Sequence, residues 1–136
     1  MACIFCKIAN GEIPSEKVGE NAHAFAFLDI HPLVRGHTLV VPKAHAERIA
    51  DMSPESARAL MELAQEVTRR QGKALGAEGA TVGVNDGKAA GQEVPHVHVH
   101  VVPRNAGDGH GPIHALFKHV ELREGELAEI GKKMRG

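Results

Sequence analysis

The sequence has few aromatic side chains: among its 136 residues there is no tryptophan, no tyrosine and only four phenylalanines. Proteins that bind single-stranded nucleic acid stack the bases on such rings, so we expect no platform of that kind. An excess of one charge is also lacking, because sixteen basic residues stand against seventeen acidic ones. Proteins that bind duplexes usually carry a basic excess, and a nucleic-acid polymer is therefore not an expected partner.

Long hydrophobic runs are missing as well, since no apolar stretch approaches the ~20 residues that span a bilayer. We therefore expect no membrane association. The N-terminus lacks the order of charged, apolar and small residues that marks a signal peptide, which predicts a cytoplasmic protein. In such a protein the two cysteines favour metal or redox chemistry over a structural disulfide.

The remaining composition, 43% hydrophobic and 24% charged, is that of one ordinary globular domain, expected over residues 1–136. Apolar and β-branched segments predict about five strands, at residues 17–20, 23–28, 37–41, 81–85 and 94–102. The clearest helix begins after Ser53, a good N-cap, and ends at a glycine at position 76 or 79. Its predicted core-facing stripe is Ala57, Leu60, Met61, Ala64 and Val67. A helical turn from residue 8, a short C-terminal helix and tight connections complete an α+β fold with an antiparallel sheet.

Ten histidines stand out against this background. His96, His98 and His100 alternate with valines, and residues two apart in a strand share one face. We expect the three imidazoles on one face at intervals of roughly 7 Å, with the valines in the core. Three interpretations are open: a solvated polar face, a metal site that uses at most two of the three, and nucleophilic or acid–base catalysis by histidine.

The pattern Gln92-x-Val94-x-His96-x-His98-x-His100-Val101-Val102 resembles the signature of the histidine triad (HIT) family of nucleotide hydrolases and transferases. Residues 25–30, 36–45 and 85–87 resemble other family segments, and residues 3–8 resemble the start of bacterial members. The resemblance covers residues 3 to about 104 and leaves 105–136 as a variable tail. It implies a HIT-like fold with about five antiparallel strands, one long helix and a short C-terminal helix. Within the family, the chain is similar to the bacterial zinc-containing branch of the adenosine phosphoramidase or diadenosine polyphosphate hydrolase type.

The resemblance implies that His98 attacks the α-phosphate of a nucleotide and becomes nucleotidylated, releasing an amine or a (poly)phosphate from AMP. His100 would then hydrogen-bond a phosphate oxygen or the leaving atom, and His37 would stabilise charge around the nucleophile. The backbone carbonyl at His100 would hold the tautomer of His98, because a partner on one ring nitrogen fixes the state of the other.

Substrate contacts are implied in the same way. Asp29 would bind the ribose hydroxyls, since a carboxylate accepts hydrogen bonds from a diol. Gln92, Asn85 and Gly91 would contact the phosphates and the leaving group. A strand-end cap for Gln92 and a plain turn at Asn85 are the alternatives. The purine pocket would be walled by five apolar residues that equally suit a plain core: Phe5, Ile8, Ile13, Phe27 and Ile30.

The pair Cys3 and Cys6 is weak evidence alone. A redox pair of this spacing normally opens a helix after a strand in a βαβ unit, which this N-terminus does not offer. The resemblance implies one structural zinc ion per chain, held by Cys3, Cys6, His45 and His96. Two Cys and two His make a closed tetrahedral site, and the chemistry itself would need no cofactor.

Glu93 departs from the family pattern, where several members carry serine or threonine. A carboxylate cannot donate a hydrogen bond unless protonated, and its negative charge is unfavourable near phosphates. Glu93 therefore either points away or shifts preference towards a cationic leaving group such as an amine.

Two other functions remain open. One is a purine-nucleotide-binding or scaffold protein of the same fold with little turnover. The other is a metallohydrolase with zinc at His98 and His100.

The resemblance further implies a homodimer formed through the long helix and the strand before the triad.

Overall fold

A five-stranded antiparallel sheet organises the computed structural model, which describes residues 3–136. The strands are β1 (Lys17–Glu20), β2 (Ala24–Leu28), β3 (Thr38–Pro42), β4 (Gly79–Gly83) and β5 (Val99–Arg104), in the spatial order β1-β2-β3-β5-β4. The helices are α1 (Ile4–Ala9), α2 (Pro54–Leu75) and α3 (Glu126–Arg135). Short 3₁₀ turns lie at Ile49–Asp51, Lys88–Ala90 and Ile113–Leu116. The predicted α+β fold is confirmed.

The helix α2 begins and ends as the sequence predicts. The Ser53 hydroxyl accepts a hydrogen bond from the Ser56 N–H at 3.1 Å, and Gly76 ends the helix with a left-handed φ of 68°. That conformation carries no steric penalty for glycine, which explains the residue at this position.

The buried stripe of α2 differs from the prediction at two positions. Met61 is 61% exposed and Ala57 is only half-buried, whereas Ala59 and Leu63 are buried. At 100° per residue, Met61 lies about 120° from the centre of the buried face, so its apolar side chain points away from the sheet. The predicted Leu60, Ala64 and Val67 do face the core.

The sheet separates two apolar clusters. The cluster under α2 takes residues from alternate positions of the sheet and from the segment just before β5: Ala24, Ala26, Val40, Val97, Val99 and Val101. The cluster on the opposite face joins α1 to the sheet and consists of Phe5, Ile8, Phe25, Phe27, Leu39 and Val41. Because β3 lies between both clusters, all five of its residues are buried. The predicted burial of the triad valines is confirmed.

The strand that carries the histidines is shorter at its start than predicted. It begins at Val99 rather than at residue 94, and residues 94–96 form a bend that includes Pro95. A backbone hydrogen bond from the His96 N–H to the Val94 carbonyl, 2.8 Å long, closes this bend. At the other end the strand runs through Pro103 to Arg104, two residues beyond the predicted end at residue 102. Proline is compatible with such a position where its nitrogen need not donate to the ladder.

Smaller boundary differences affect the other elements. The first helix begins at Ile4 rather than at residue 8, because Phe5 and Ile8 pack their apolar side chains together on the sheet. The third and fourth strands are each shifted by one or two residues from the predicted ranges. The short C-terminal helix is present as α3, and none of its residues is buried. No helix within residues 3–136 combines the length and the apolar composition needed to cross a membrane.

Substitution at two apolar positions of α2 tests this packing. Leu63 is 4% exposed and Met61 is 61% exposed. We expect Leu63→Ala to lower the free energy of unfolding by about 2–5 kcal/mol, because it leaves a cavity in the core. The matched control Met61→Ala should change it by less than about 0.5 kcal/mol. Urea unfolding measures both, and equal effects would show that the buried face of α2 is assigned wrongly.

Candidate active site and metal site

The three triad histidines keep the predicted alternation, although only His100 lies within the strand. The Phe5 ring contacts both His96 and His98, with ring centroids 5.9 and 5.0 Å apart, while the intervening valine belongs to the opposite cluster. The His98 and His100 rings meet edge to face at 5.1 Å. The bend before β5 therefore changes the backbone without changing which side the imidazoles occupy.

His98 is held in one tautomer by the backbone. Its Nδ1 lies 2.8 Å from the His96 carbonyl oxygen, so Nδ1 carries the proton and donates it. The other ring nitrogen, Nε2, is left with its lone pair. The expected partner, the carbonyl at His100, is wrong: His100 is paired with both β3 and β4, whereas the bend before Val99 leaves the His96 carbonyl free to accept.

A second fixed tautomer follows at His37. Its Nδ1 accepts the Leu33 N–H at 3.1 Å, so its proton is on Nε2. That Nε2–H donates to His100 Nδ1, 3.0 Å away, which leaves His100 with its own proton on Nε2. The site thus places the lone pair of His98 beside an imidazole that presents an N–H donor.

Burial keeps this pair neutral. The pKa of His100 is lowered to about 4, chiefly by burial and to a smaller extent by repulsion from His98 and His37. Burial also lowers the pKa of His37, and the Asp29 carboxylate partly opposes that shift. At neutral pH both rings therefore act as hydrogen-bond relays rather than as fixed charges.

Asp29 stands at the edge of this relay. Its Oδ1 accepts the His31 N–H at 2.9 Å, and its Oδ2 lies 3.7 Å from His37 Nδ1. The carboxylate is half-buried, so it retains acceptor capacity towards a ligand. Asp29, His37 and His100 also lie close enough together to hold a metal ion. A metal there would have to replace the hydrogen bond between the two histidines.

Gln92 ties the loop before the triad to its surroundings. Its side-chain oxygen accepts the Gly87 N–H at 2.7 Å, and its amide nitrogen donates to the carbonyls of Glu47 and Val94 at 2.8 and 2.9 Å. These bonds give Gln92 the structural role that the sequence left open as an alternative. A contact with phosphate stays a prediction. For the amide nitrogen to donate to a phosphate, one of its two hydrogen bonds to a backbone carbonyl must break.

The loop over residues 84–92 has a further anchor that the sequence did not indicate. Asp86 accepts the Ile49 N–H at 2.8 Å and lies 3.4 Å from the Arg48 Nε. Gly91, with φ of 93°, adopts a conformation that favours glycine, and Asn85 is exposed. The predicted contacts of Asn85 and Gly91 with substrate stay predictions.

The apolar residues predicted to wall a purine pocket fall into two groups. Phe5, Ile8 and Phe27 are buried in one cluster, and Ile13 packs against it. Ile30 is 84% exposed, so the alternative that it is plain core is wrong. It lies in the loop that precedes His37, which leaves it free to contact a ligand.

Four side chains from distant parts of the chain meet beside the Phe5 ring, which contacts His96: Cys3, Cys6, His45 and His96. His96 Nδ1 lies 3.5 Å from each of the Cys3 and Cys6 sulfurs and 3.2 Å from His45 Nδ1. The Cys6 sulfur is 3.4 Å from His45 Nδ1. Tetrahedral zinc with bonds of about 2.0–2.3 Å separates its ligand atoms by about 3.3–3.8 Å, so the spacing suits such an ion. The four residues can hold a metal ion.

The protonation of His96 also suits a metal. Its Nε2 lies 2.8 Å from the Pro42 carbonyl oxygen and donates to it, which directs the Nδ1 lone pair into the cluster. Such a backbone partner on the second ring nitrogen is usual for metal-bound histidine. Burial raises the pKa of the Cys6 thiol, with Cys3 adding to the effect, so a bound cation would have to displace that proton. Within residues 3–136, two groups of side chains lie close enough together to hold a metal ion, and neither contains His98. This disfavours a zinc ion bound by His98 and His100.

Comparison with known proteins identifies the family. The model of the HIT domain matches residues 10–107, and the chain therefore belongs to the histidine triad family. It is 46% identical over 104 residues to the adenosine 5′-monophosphoramidase of Schizosaccharomyces pombe, a match that covers 76% of this chain and 75% of the relative.

Solved structures agree with the fold. A HIT family protein from Bacillus subtilis superposes with a TM-score of 0.88 at 36% identity, covering 99% of this chain and 96% of that one. A zinc-bound histidine triad family protein from Mycobacterium smegmatis superposes with a TM-score of 0.77 at 36% identity, covering 98% of both chains. The family and the fold predicted from the sequence are confirmed.

Metal analysis tests the four-residue cluster. We expect protein purified without chelator to carry about one zinc ion per chain, because two thiolates and two imidazoles form a closed tetrahedral site. Cys6→Ala should lose the metal and lower the melting temperature. The control His23→Ala, at an exposed histidine outside the cluster, should retain it. Fully folded, zinc-free wild-type protein would rule the site out.

Proposed function

We propose that this chain is a nucleotide hydrolase or transferase that cleaves AMP from an amine or (poly)phosphate leaving group through a nucleotidylated His98. The observation that carries the proposal is the pairing of tautomers: the Nε2 lone pair of His98 lies beside an imidazole that offers an N–H. The family membership and the monophosphoramidase relative support the choice of reaction.

The proposed first step uses both histidines. His98 Nε2 attacks the α-phosphorus, a phosphorus–nitrogen bond forms, and the bond from phosphorus to the leaving group breaks. The leaving group departs with that electron pair and takes up a proton from water. Positive charge develops on the His98 ring during attack, and the hydrogen bond from Nδ1 to the His96 carbonyl stabilises it. The His100 Nε2–H donates to a phosphate oxygen or to the leaving atom. Water then hydrolyses the phosphoramidate and frees AMP.

Positioning of the nucleotide follows from the surrounding groups. In this proposal the Asp29 carboxylate accepts hydrogen bonds from the ribose hydroxyls. The phosphates and the leaving group are contacted by Asn85, Gly91 and Gln92. The purine lies against Phe5, Ile8, Ile13, Phe27 and Ile30.

The proposed metal is one structural zinc ion per chain. It would hold α1 and the bend before β5 together and supply no step of the chemistry. The cytoplasm suits such a site, because thiols remain reduced there.

A homodimer completes the proposal. The strand β4 is at the edge of the sheet, so its outer backbone groups can pair with another strand. Several apolar residues on α2 and in the tail are also exposed, among them Met61, Leu127 and Ile130. A second copy of the chain would cover part of this surface.

The second candidate, a nucleotide-binding protein with little turnover, accounts less well for the site. Binding alone does not require a free lone pair on His98 or a relay from His37 through His100. We therefore place it second, and the kinetic test below separates the two.

Substitution of His98 tests the nucleophile. We expect wild-type protein to release AMP from adenosine 5′-phosphoramidate or a diadenosine polyphosphate, and His98→Ala to lower kcat by about 10³-fold or more, because no other group can form the intermediate. His110→Ala, at an exposed histidine outside the site, is the control. Equal rates in His98→Ala and wild type would reject the mechanism, and no release by wild type would favour the binding protein.

Substitution of Glu93 tests leaving-group preference. Glu93 is exposed and lies three residues before the first triad histidine. Its negative charge is expected to favour an amine over a phosphate as the leaving group. Glu93→Ser should lower the ratio of phosphoramidate to dinucleotide cleavage several-fold, measured as the ratio of the two kcat/KM values. Glu93→Gln, which removes only the charge, should shift the ratio in the same direction. An unchanged ratio in both variants would contradict the electrostatic account.

A further inference from the structure

The first helix has little to hold it in place by itself. It is six residues long, and its N-cap residue, Cys3, makes no side-chain capping bond. Isolated helices shorter than ~12–15 residues are marginal in water. The contacts that fix α1 are the burial of Phe5 and Ile8 and the approach of the Cys3 and Cys6 sulfurs to His96 Nδ1. These two cysteines, His45 and His96 form the metal cluster.

Phe5 links that cluster to the nucleophile. It lies between the two cysteines in sequence, so any ion that fixes both sulfurs fixes the backbone on either side of this ring. The ring is 7% exposed and packs edge to face on His98, with centroids 5.0 Å apart and planes at 71°. It packs on His96 as well, at 5.9 Å and 82°.

Three contacts together enclose the His98 ring. Phe5 and His100 lie against it at 5.0 and 5.1 Å, and the His96 carbonyl accepts its Nδ1–H. Two of the three contacts come from residues in or beside the metal cluster. His96 itself joins both sites, because its imidazole belongs to the cluster and its backbone oxygen holds His98.

We propose that the metal cluster sets the orientation of His98, and that Phe5 is the positioning residue that transmits it. This inference rests on the proposed role of His98 as nucleophile. With the cluster assembled, α1 presses Phe5 on the imidazole and keeps its Nε2 aimed at the substrate. When the cluster is opened, α1 loosens and the His98 ring loses the Phe5 contact on one side. The ring then turns away from the His96 carbonyl, which breaks the Nδ1 hydrogen bond and lets the proton exchange between the two ring nitrogens.

The test reads the His98 ring directly, without substrate. Long-range proton–nitrogen spectra of full-length, ¹⁵N-labelled protein report which ring nitrogen carries the proton. In zinc-loaded wild type we expect His98 as a single Nδ1–H tautomer. In protein stripped of metal by a chelator, and in zinc-loaded Phe5→Leu, we expect averaged signals from the two nitrogens.

Phe25→Leu is the matched control. Phe25 is buried in the same cluster and contacts Phe27, and the ring pairs within residues 3–136 do not join it to His98. The same substitution there should leave the His98 tautomer and AMP release unchanged. Phe5→Leu should lower kcat by about tenfold with zinc still bound, because a misaligned nucleophile reacts more slowly.

The outcomes separate this inference from the proposed function. A single Nδ1–H tautomer in both stripped wild type and Phe5→Leu would overturn the inference. If stripping unfolds the chain, zinc-loaded Phe5→Leu decides alone. Absence of AMP release by wild type would reject the function, while the tautomer spectra would still test the link from α1 to His98.

Discussion

The hydrogen bond from His98 Nδ1 to the His96 carbonyl, 2.8 Å long, is the interaction on which the site depends. It decides which ring nitrogen carries the proton and therefore which one can react. It exists because the chain bends at residues 94–96 and enters the sheet only at Val99. A regular strand from residue 94 would direct the carbonyls into the ladder, and His98 would lose this partner. The departure from regular structure is thus what prepares the nucleophile.

The fixed proton positions on His37 and His100 support this arrangement at His98. The Leu33 N–H fixes His37, and His37 fixes His100, so the donor beside His98 is set by a backbone group of a loop. Burial keeps these rings neutral, which makes the relay dependent on hydrogen bonds rather than on charge. On the other side, the Pro42 carbonyl fixes His96 in the form that suits a metal ligand. In each case a main-chain atom determines the chemistry of an imidazole.

Much of this was accessible from the sequence, and the limits have a physical cause. The alternation of His and Val predicted the two faces correctly, and the cap at Ser53 and the glycine at 76 gave the ends of α2. The resemblance to bacterial members of the family also implied the four residues that meet in the metal cluster. The carbonyl partner of His98 was assigned wrongly, and the Leu33 donor was missed, because neither depends on side-chain identity. Met61 was placed in the core because hydrophobicity alone does not fix the rotation of a helix against a sheet.

The central claim is that His98 carries the nucleotide during the reaction. The most direct measurement is to mix the protein with adenosine 5′-phosphoramidate, stop the reaction in alkali within the first turnover, and locate any adenylyl group by mass spectrometry of the peptides. The account predicts one adduct, on the peptide that contains His98 and at that residue. AMP release with no adduct in a fully resolved first turnover, or an adduct on another side chain, would contradict it.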